Sequence, residues 1–246
     1  MSGTDSVIEV KDLVKKFDHF VANDHLSFTV YRGEIFGFLG ANGAGKTTAI
    51  RILCGLSQPT SGFIRVAGFD AYTQTEEIKK SIGYMSQKFS LYEALTVYEN
   101  IRFYGAIYGL KMDYIRKKTE DLLKKLEMQD IRNTLISDIP TGWRQKLAFS
   151  IAIFHEPSIV FLDEPTGGVD PVTRRQFWKL IYEAAHSGIT VFVTTHYMDE
   201  AEYCNRVCIM SEGKIVAMDT PDNLKINYQA ANMDGVFLKV ARNVTN

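Results

Sequence analysis

Apolar and polar residues alternate from His25 to Tyr31, the two-residue period of a half-buried strand. Tyr31-Arg32-Gly33-Glu34 then offers a turn, and Ile35 to Leu39 is a short apolar strand. A glycine-rich loop follows, and a helical period runs from about Lys46 to Leu53. Phe63 to Ala67 and Ile82 to Met85 read as further strands. From about Leu91 to His155 the period changes, and Thr96 to Ile107, Met112 to Glu127 and Trp143 to Phe154 all predict helices. Strand and helix then alternate again. Ile159 to Leu162 and Thr190 to Val193 are continuous apolar runs, as parallel strands buried on both faces require, with a helix over Pro171 to His186 between them. Val207 to Met210 and Ile215 to Met218 flank Ser211-Glu212-Gly213-Lys214, a hairpin signal. The stretch after about Gln229 gives little. The order predicts an α/β fold with a mixed sheet core, an N-terminal antiparallel β-part and an inserted helical lobe. Residues 1–87 and 158–246 are expected to form the core of a single domain, and 88–157 the lobe.

Composition narrows the function. The chain has 246 residues, 46% hydrophobic and 23% charged, enough to bury roughly three-quarters of its surface without staples. Its 28 Lys+Arg against 29 Asp+Glu leave a formal charge of −1, which argues against nucleic acid as a partner. Cys54, Cys204 and Cys208 form no disulfide framework. Cys204 and Cys208 are spaced to share a helix face, but without His or further Cys at ligand spacing zinc is not expected. The opening residues show no secretory signal and no window reaches the ~20 apolar residues of a membrane span. The expected location is cytoplasmic, or on a membrane only through a partner.

Gly40-Ala41-Asn42-Gly43-Ala44-Gly45-Lys46-Thr47 fits G-x-x-x-x-G-K-[ST], entered by a strand and left by a helix. Glycines let such a loop wrap a phosphate closely, and its N–H groups and the helix N-terminus face the anionic oxygens. Lys46 adds a cation for the β- and γ-phosphates, and the Thr47 hydroxyl suits Mg²⁺. Ile159-Val160-Phe161-Leu162-Asp163-Glu164 carries two acids to the C-terminal end of a buried strand, where α/β ligand sites form. Asp163 suits a Mg²⁺ role and Glu164 suits polarising a water. By itself the pair also fits a strand end with a helix cap; the phosphate loop raises its meaning. Gln87 follows the strand Ile82 to Met85, and His196 follows the run Val191-Phe192-Val193-Thr194-Thr195. Alone they read as a surface Gln and a structural His; on the same sheet edge as Lys46 and Glu164 they become candidates.

In this order the motifs resemble the ATP-binding subunit of ABC transporters over nearly the whole chain, about 8–224. They are the phosphate loop, Gln87, a signature region at Ile139 to Gln145, the Asp-Glu strand, Gly167-Gly168-Val169-Asp170, and His196. The stretch Phe161-Leu162-Asp163-Glu164-Pro165-Thr166-Gly167-Gly168-Val169-Asp170-Pro171 looks like the ABC-2 type, drug-export branch. The resemblance implies ATP and Mg²⁺ as cofactors, with phosphates held by the loop through Lys46 and Thr48. It implies Mg²⁺ served by Thr47, Gln87 and Asp163, water oriented by Glu164, and the γ-phosphate read by His196. Phe17 occupies the position that stacks on adenine, with Phe20 and a plain core role for Phe17 as alternatives. Asp170 is expected to contact a facing subunit.

The signature departs from its family. Where the pattern begins Leu-Ser-Gly-Gly-Gln, this chain has Ile139-Pro140-Thr141-Gly142-Trp143, and Pro140 offers neither hydroxyl nor N–H. Backbone donors at the helix start near Trp143, with Thr141, are expected to engage the facing subunit's nucleotide more weakly. The rival is pairing with a second ABC ATPase that bears the full signature. The resemblance further implies a membrane-spanning permease docked near Gln87 to Tyr108, a stretch rich in aromatics (Phe89, Tyr92, Tyr98, Phe103, Tyr104, Tyr108) that lobe packing also explains. The lysines of 111–125 read as a solvated helix face. Two other functions stay open: a non-transport ABC ATPase, and a regulatory ATP-binding module with little turnover.

Overall fold

The structure is a computed structural model that describes residues 5–88 and 91–244; Phe89 lies outside them. A long hairpin, β1 (Ser6–Phe17) and β2 (Phe20–Tyr31), joins β4 (Ser61–Val66) and β5 (Phe69–Asp70) in an antiparallel sheet ordered β2-β1-β4-β5. The second sheet is six-stranded. Its strands are β3 (Ile35–Gly40), β6 (Ile82–Met85), β7 (Ile159–Asp163), β8 (Thr190–Thr195), β9 (Arg206–Ser211) and β10 (Lys214–Asp219), in the order β10-β9-β3-β8-β7-β6. Its pairs are parallel except β9 with β10, which close the expected hairpin through Glu212 and Gly213, both at positive φ.

The two-residue period of the apolar strands sorts the core into two layers. Phe36 and Phe38 of β3, Phe161 of β7 and Phe192 of β8 point to one face. There they meet Phe28 of the antiparallel sheet and α1 (Lys46–Leu53), with Phe38 and Phe192 at 5.2 Å between ring centres. The alternate residues Ile35, Leu39, Val160, Leu162, Val191 and Val193 point to the other face, against α6 (Pro171–His186) and α8 (Met233–Val244). Burying strands on both faces is what makes their sequences read as unbroken apolar runs.

The lobe has a core of its own. α3 (Val97–Ile107), α4 (Met112–Lys125) and α5 (Thr141–Ala152) pack around Val97, Ile101, Ile115, Leu123, Leu147 and Ile151. Thr96 and Glu99 form a capping box at the start of α3, a device that contributes about 1 kcal/mol. Fully buried Asn100 accepts from the Tyr92 N–H and donates to the Tyr92 and Thr96 carbonyls, fixing the loop before α3.

Several elements differ from the sequence reading. α2 (Thr75–Ser81) and α7 (Pro221–Asn227) were not anticipated, although Thr220 caps α7 and Pro221 opens it. The stretch after Gln229 forms α8, which buries Met233, Val236 and Val240 at helical spacing. Cys204 and Cys208 do not share a helix. Cys208 lies on β9 and faces the aromatic layer, whereas Cys204 ends a 3-10 turn on the opposite face. Among the described residues no helix is long and apolar enough to cross a membrane.

At the seam between lobe and sheet, His155 stacks on Tyr108 at 3.6 Å and its Nε2 meets the Ile82 carbonyl at 3.0 Å. Burial lowers its pKa to about 4, so the ring is neutral at pH 7. The folded pKa therefore lies below the unfolded one. Between the ordinary value near 6.5 and about 4 the unfolded chain binds more protons, and stability falls as pH drops through that window. The ring is partly open to solvent, so the loss is discounted to about 1 kcal/mol. Thermal melts are expected to show the wild type losing about 2–4 °C more than His155→Gln between pH 7 and pH 5.

Candidate active site

β3, β8, β7 and β6 are adjacent and parallel, so their C-terminal ends share one edge of the sheet. Each end delivers a segment singled out in the sequence: the glycine loop after β3, His196 after β8, Asp163 and Glu164 at β7, and Gln87 after β6. These were dispersed over more than 150 residues of chain, and the sheet brings them within hydrogen-bond reach.

The loop 40–47 is braced from the antiparallel side. Gly45 sits at φ +99° and heads α1 without a side-chain cap. Its carbonyl accepts from the Nδ2 of Asn23, a fully buried residue of β2, at 3.1 Å. The Ala44 carbonyl accepts from the Gly213 N–H at the β9–β10 turn. Lys46 is buried and folds back over the loop, its Nζ donating to the Gly40 and Ala41 carbonyls at 2.8 and 3.1 Å. Beside the loop lies a cavity of about 500 Å³, walled by Phe20, Ala22, Asn42, Gly43, Gly45, Lys46, Thr47, Thr48, Gln87 and Glu164.

Glu164 is where the side chains converge. Its Oε2 accepts from Gln87 Nε2 at 3.1 Å and lies 3.1 Å from His196 Nδ1, while Lys46 Nζ stands 3.4 Å from Oε1. Its backbone is in the left-handed region at φ +49°, uncommon for a residue with a side chain. The Glu164 N–H is held by the Thr194 carbonyl and hydroxyl at 3.2 and 3.0 Å. Asp163 is buried, and its Oδ1 accepts from Thr194 at 2.8 Å and Thr47 at 3.3 Å. Burial raises the Asp163 pKa, and the two hydroxyl bonds oppose the rise. Thr194 thus orients both acids, a role the sequence reading missed. Its signal was a polar residue closing an apolar strand. Asn23 was missed as well, because a lone Asn in an alternating strand does not reveal which backbone it meets.

Other expected residues lie apart. Phe17 is not part of the cavity wall. It ends β1, half exposed, with Lys15 Nζ 4.7 Å from its ring, whereas Phe20, its cross-strand partner on β2, lines the wall. The reason is topological: β2, not β1, carries the Ala22 and Asn23 that touch the loop. Pro140, Thr141, Gly142 and Trp143 are also outside the wall. Pro140 is the N-cap of α5, which begins at Thr141, earlier than its sequence period indicated, and no side chain caps it. The Asp170 carboxylate accepts from the Val172 and Thr173 N–H groups at 2.9 and 3.0 Å, capping α6 of its own chain.

Known proteins place this arrangement. The ABC transporter family model matches residues 23–167. The probable multidrug ABC transporter ATP-binding protein YbhF of Escherichia coli K12 is 48% identical over 228 residues, covering 93% of this chain and 39% of that protein. The chain therefore spans about two-fifths of that relative's length. The ABC transporter ATP-binding protein NatA of Bacillus subtilis is 33% identical, covering 89% of this chain and 91% of that one. A solved structure of an ATP binding subunit of an ABC transporter superposes with a TM-score of 0.86 at 27% identity over 96% of this chain and 99% of its own. A family model matched over more than half the residues, and a relative matched along most of both chains, show that this chain belongs to the ABC transporter family.

Proposed function

We propose that this chain binds ATP at residues 40–48, hydrolyses it with Glu164, and uses the cycle to power a membrane-spanning permease of the ABC-2 type that exports drug-like compounds. The single observation that supports hydrolysis is the meeting of Lys46, Gln87 and His196 on one carboxylate at the rim of the loop's cavity. A carboxylate so placed can take a proton from water as it attacks the γ-phosphate. Lys46 would leave the Gly40 and Ala41 carbonyls for the triphosphate, a change of partner that keeps its charge satisfied at both stages. His196 holds Glu164 through Nδ1, which leaves its other ring nitrogen for the γ-phosphate. Phe20, with Phe17 beside it, supplies the aromatic face for adenine, worth about 1–3 kcal/mol of stacking.

The donors fit Mg²⁺. The Thr47 hydroxyl and Asp163 carboxylate are hard oxygens facing each other at 3.3 Å, and Gln87 approaches the same carboxylate cluster. Among the described residues no three His, Cys, Asp or Glu side chains converge as a metal cage, so the cation would rely on the nucleotide's own oxygens. It would neutralise charge on the β- and γ-phosphates.

Two such domains, copies of this chain or this chain with a second ABC ATPase, would sandwich ATP. Pro140 brings no hydroxyl to the facing site, so that contact falls to Thr141 and the N–H groups opening α5. A lost neutral hydrogen bond of about 0.5–1.5 kcal/mol slows such a site without silencing it. The alternative of an ATP-binding module with little turnover rests on the same Pro140, and a turnover assay on the purified chain separates the two.

The permease would dock along the loop after Gln87 and α3, with the domain on the cytoplasmic face of the membrane. Tyr92, Phe103 and Ile107 are exposed there, Tyr92 packing edge-on against Phe103 at 4.8 Å. In membranes containing the transporter, Tyr92→Ala is expected to cut transport at least fivefold while ATP hydrolysis by the isolated chain stays within twofold. Loss of both together would place the effect in folding and remove this docking surface.

A further inference from the structure

We propose that Gln145 is a positioning residue that links the helix facing the partner's nucleotide to the catalytic Glu164 of its own chain. The inference rests on the ATP-sandwich reading above. Gln145 is fully buried in α5, and its Nε2 donates to the Pro165 carbonyl. Pro165 immediately follows Glu164 and has no N–H, so that carbonyl is its one backbone polar group. The Gln145 Oε1 has no hydrogen-bond partner among the described residues, so the Pro165 bond is what anchors the amide.

The grip extends along the connector 164–173. A Cβ on Gly142, in the first turn of α5, would lie 2.8 Å from Thr173 Cγ2, so the two helix starts are in direct contact. Thr173 is in turn bound to Asp170 through its N–H and hydroxyl at 3.0 and 2.5 Å. The opening turns of α5 therefore hold the connector at both ends. The Glu164 backbone is fixed on one side by Thr194 and on the other by the turn that follows, where the Gly167 N–H donates to the Glu164 carbonyl at 3.2 Å, Gln145 holds Pro165, and Thr166 is bonded to buried Glu200. A buried amide gives up its bond at a high cost, so when α5 shifts on meeting the partner's nucleotide, Pro165 moves with it. That movement resets the left-handed backbone of Glu164 and with it the carboxylate.

Dimers assembled from two differently tagged copies test this. The reference pairs a wild-type copy with a Glu164→Gln copy, so one site turns over. In the first test pairing, Gln145→Met sits on the copy with intact Glu164; in the second, it sits on the Glu164→Gln copy. The first is expected to fall at least tenfold below the reference in kcat, with KM for ATP within twofold. The second is expected to run at least fivefold faster than the first. Gln145→Asn, which keeps the amide but withdraws it by one carbon, is expected to lie between them and guards against a fold defect in the Met variant. Equal rates in the two pairings, or a loss confined to the second, would overturn the role of Gln145. Hydrolysis that survives Glu164→Gln in both copies would overturn the catalytic role of Glu164 and this inference with it, whereas no hydrolysis by the wild-type dimer would overturn the ATPase reading itself.

Discussion

Glu164→Gln is expected to lower ATP turnover by roughly 10²- to 10⁴-fold, the range typical of a positioned general base. That is about 3–5 kcal/mol of transition-state stabilisation. The substitution keeps the size of the side chain and one oxygen to accept from Gln87, so the geometry around it should persist. What it removes is the negative charge that Lys46 Nζ faces at 3.4 Å and His196 at 3.1 Å. It also removes the proton acceptor. Nucleotide binding, carried by the loop 40–48, should change by no more than a few fold, and equilibrium titration with a fluorescent ATP analogue measures it. If binding and turnover fell in parallel, Glu164 would be a binding group. If turnover persisted, water would be activated by another residue.

The second large effect is expected at Gly45. Two costs meet there. A side chain at φ +99° is strained, at about 1–3 kcal/mol. In addition, a Cβ would lie 2.3 Å from the Ala22 carbonyl oxygen and 2.7 Å from Asn23 Nδ2. The first of these is strand backbone and yields little, so the loop or β2 must move and the Asn23 bond to Gly45 is disturbed. Gly45→Ala should therefore lower folding stability by about 2–4 kcal/mol, or about 5–15 °C in a thermal melt for a chain of this size. It should also weaken ATP binding at least tenfold. Gly43 provides the control: its φ is +85° but nothing lies within 4 Å of its Cβ position, so Gly43→Ala carries the strain alone. Equal losses in the two variants would show that the close approach of β2 does not matter.

Much of the site was legible because its members follow strands with clear signatures. The glycine loop, the acid pair and His196 each end an apolar run, and apolar runs in an α/β chain are parallel strands whose C-terminal ends share an edge. Asn23 and Thr194 were not legible as functional because each acts on a backbone group distant in the chain, Gly45 and Glu164; Gln145 was read as the end of the signature region, but its bond to the Pro165 carbonyl was not legible for the same reason. A polar side chain announces that it needs a partner, not which one. Phe17 illustrates the same limit. Phe17 and Phe20 are both aromatic, exposed and three residues apart, and only the pairing of β2 alongside the loop puts Phe20 on the cavity wall.

The sequence by itself determined most of the local elements and their order, with α2, α7 and α8 the exceptions. The periods of two and near four set strands and helices, and glycines at positive φ set the loop and the hairpin, since both follow from interactions within a few residues. Only the tertiary structure decided that Lys46, Gln87 and His196 meet on Glu164, that Asn23 braces the loop, and that α5 grips the connector after Glu164. Those contacts depend on strand order and on how closely packed backbones approach. These are properties of the assembled sheet, fixed by which apolar faces bury together.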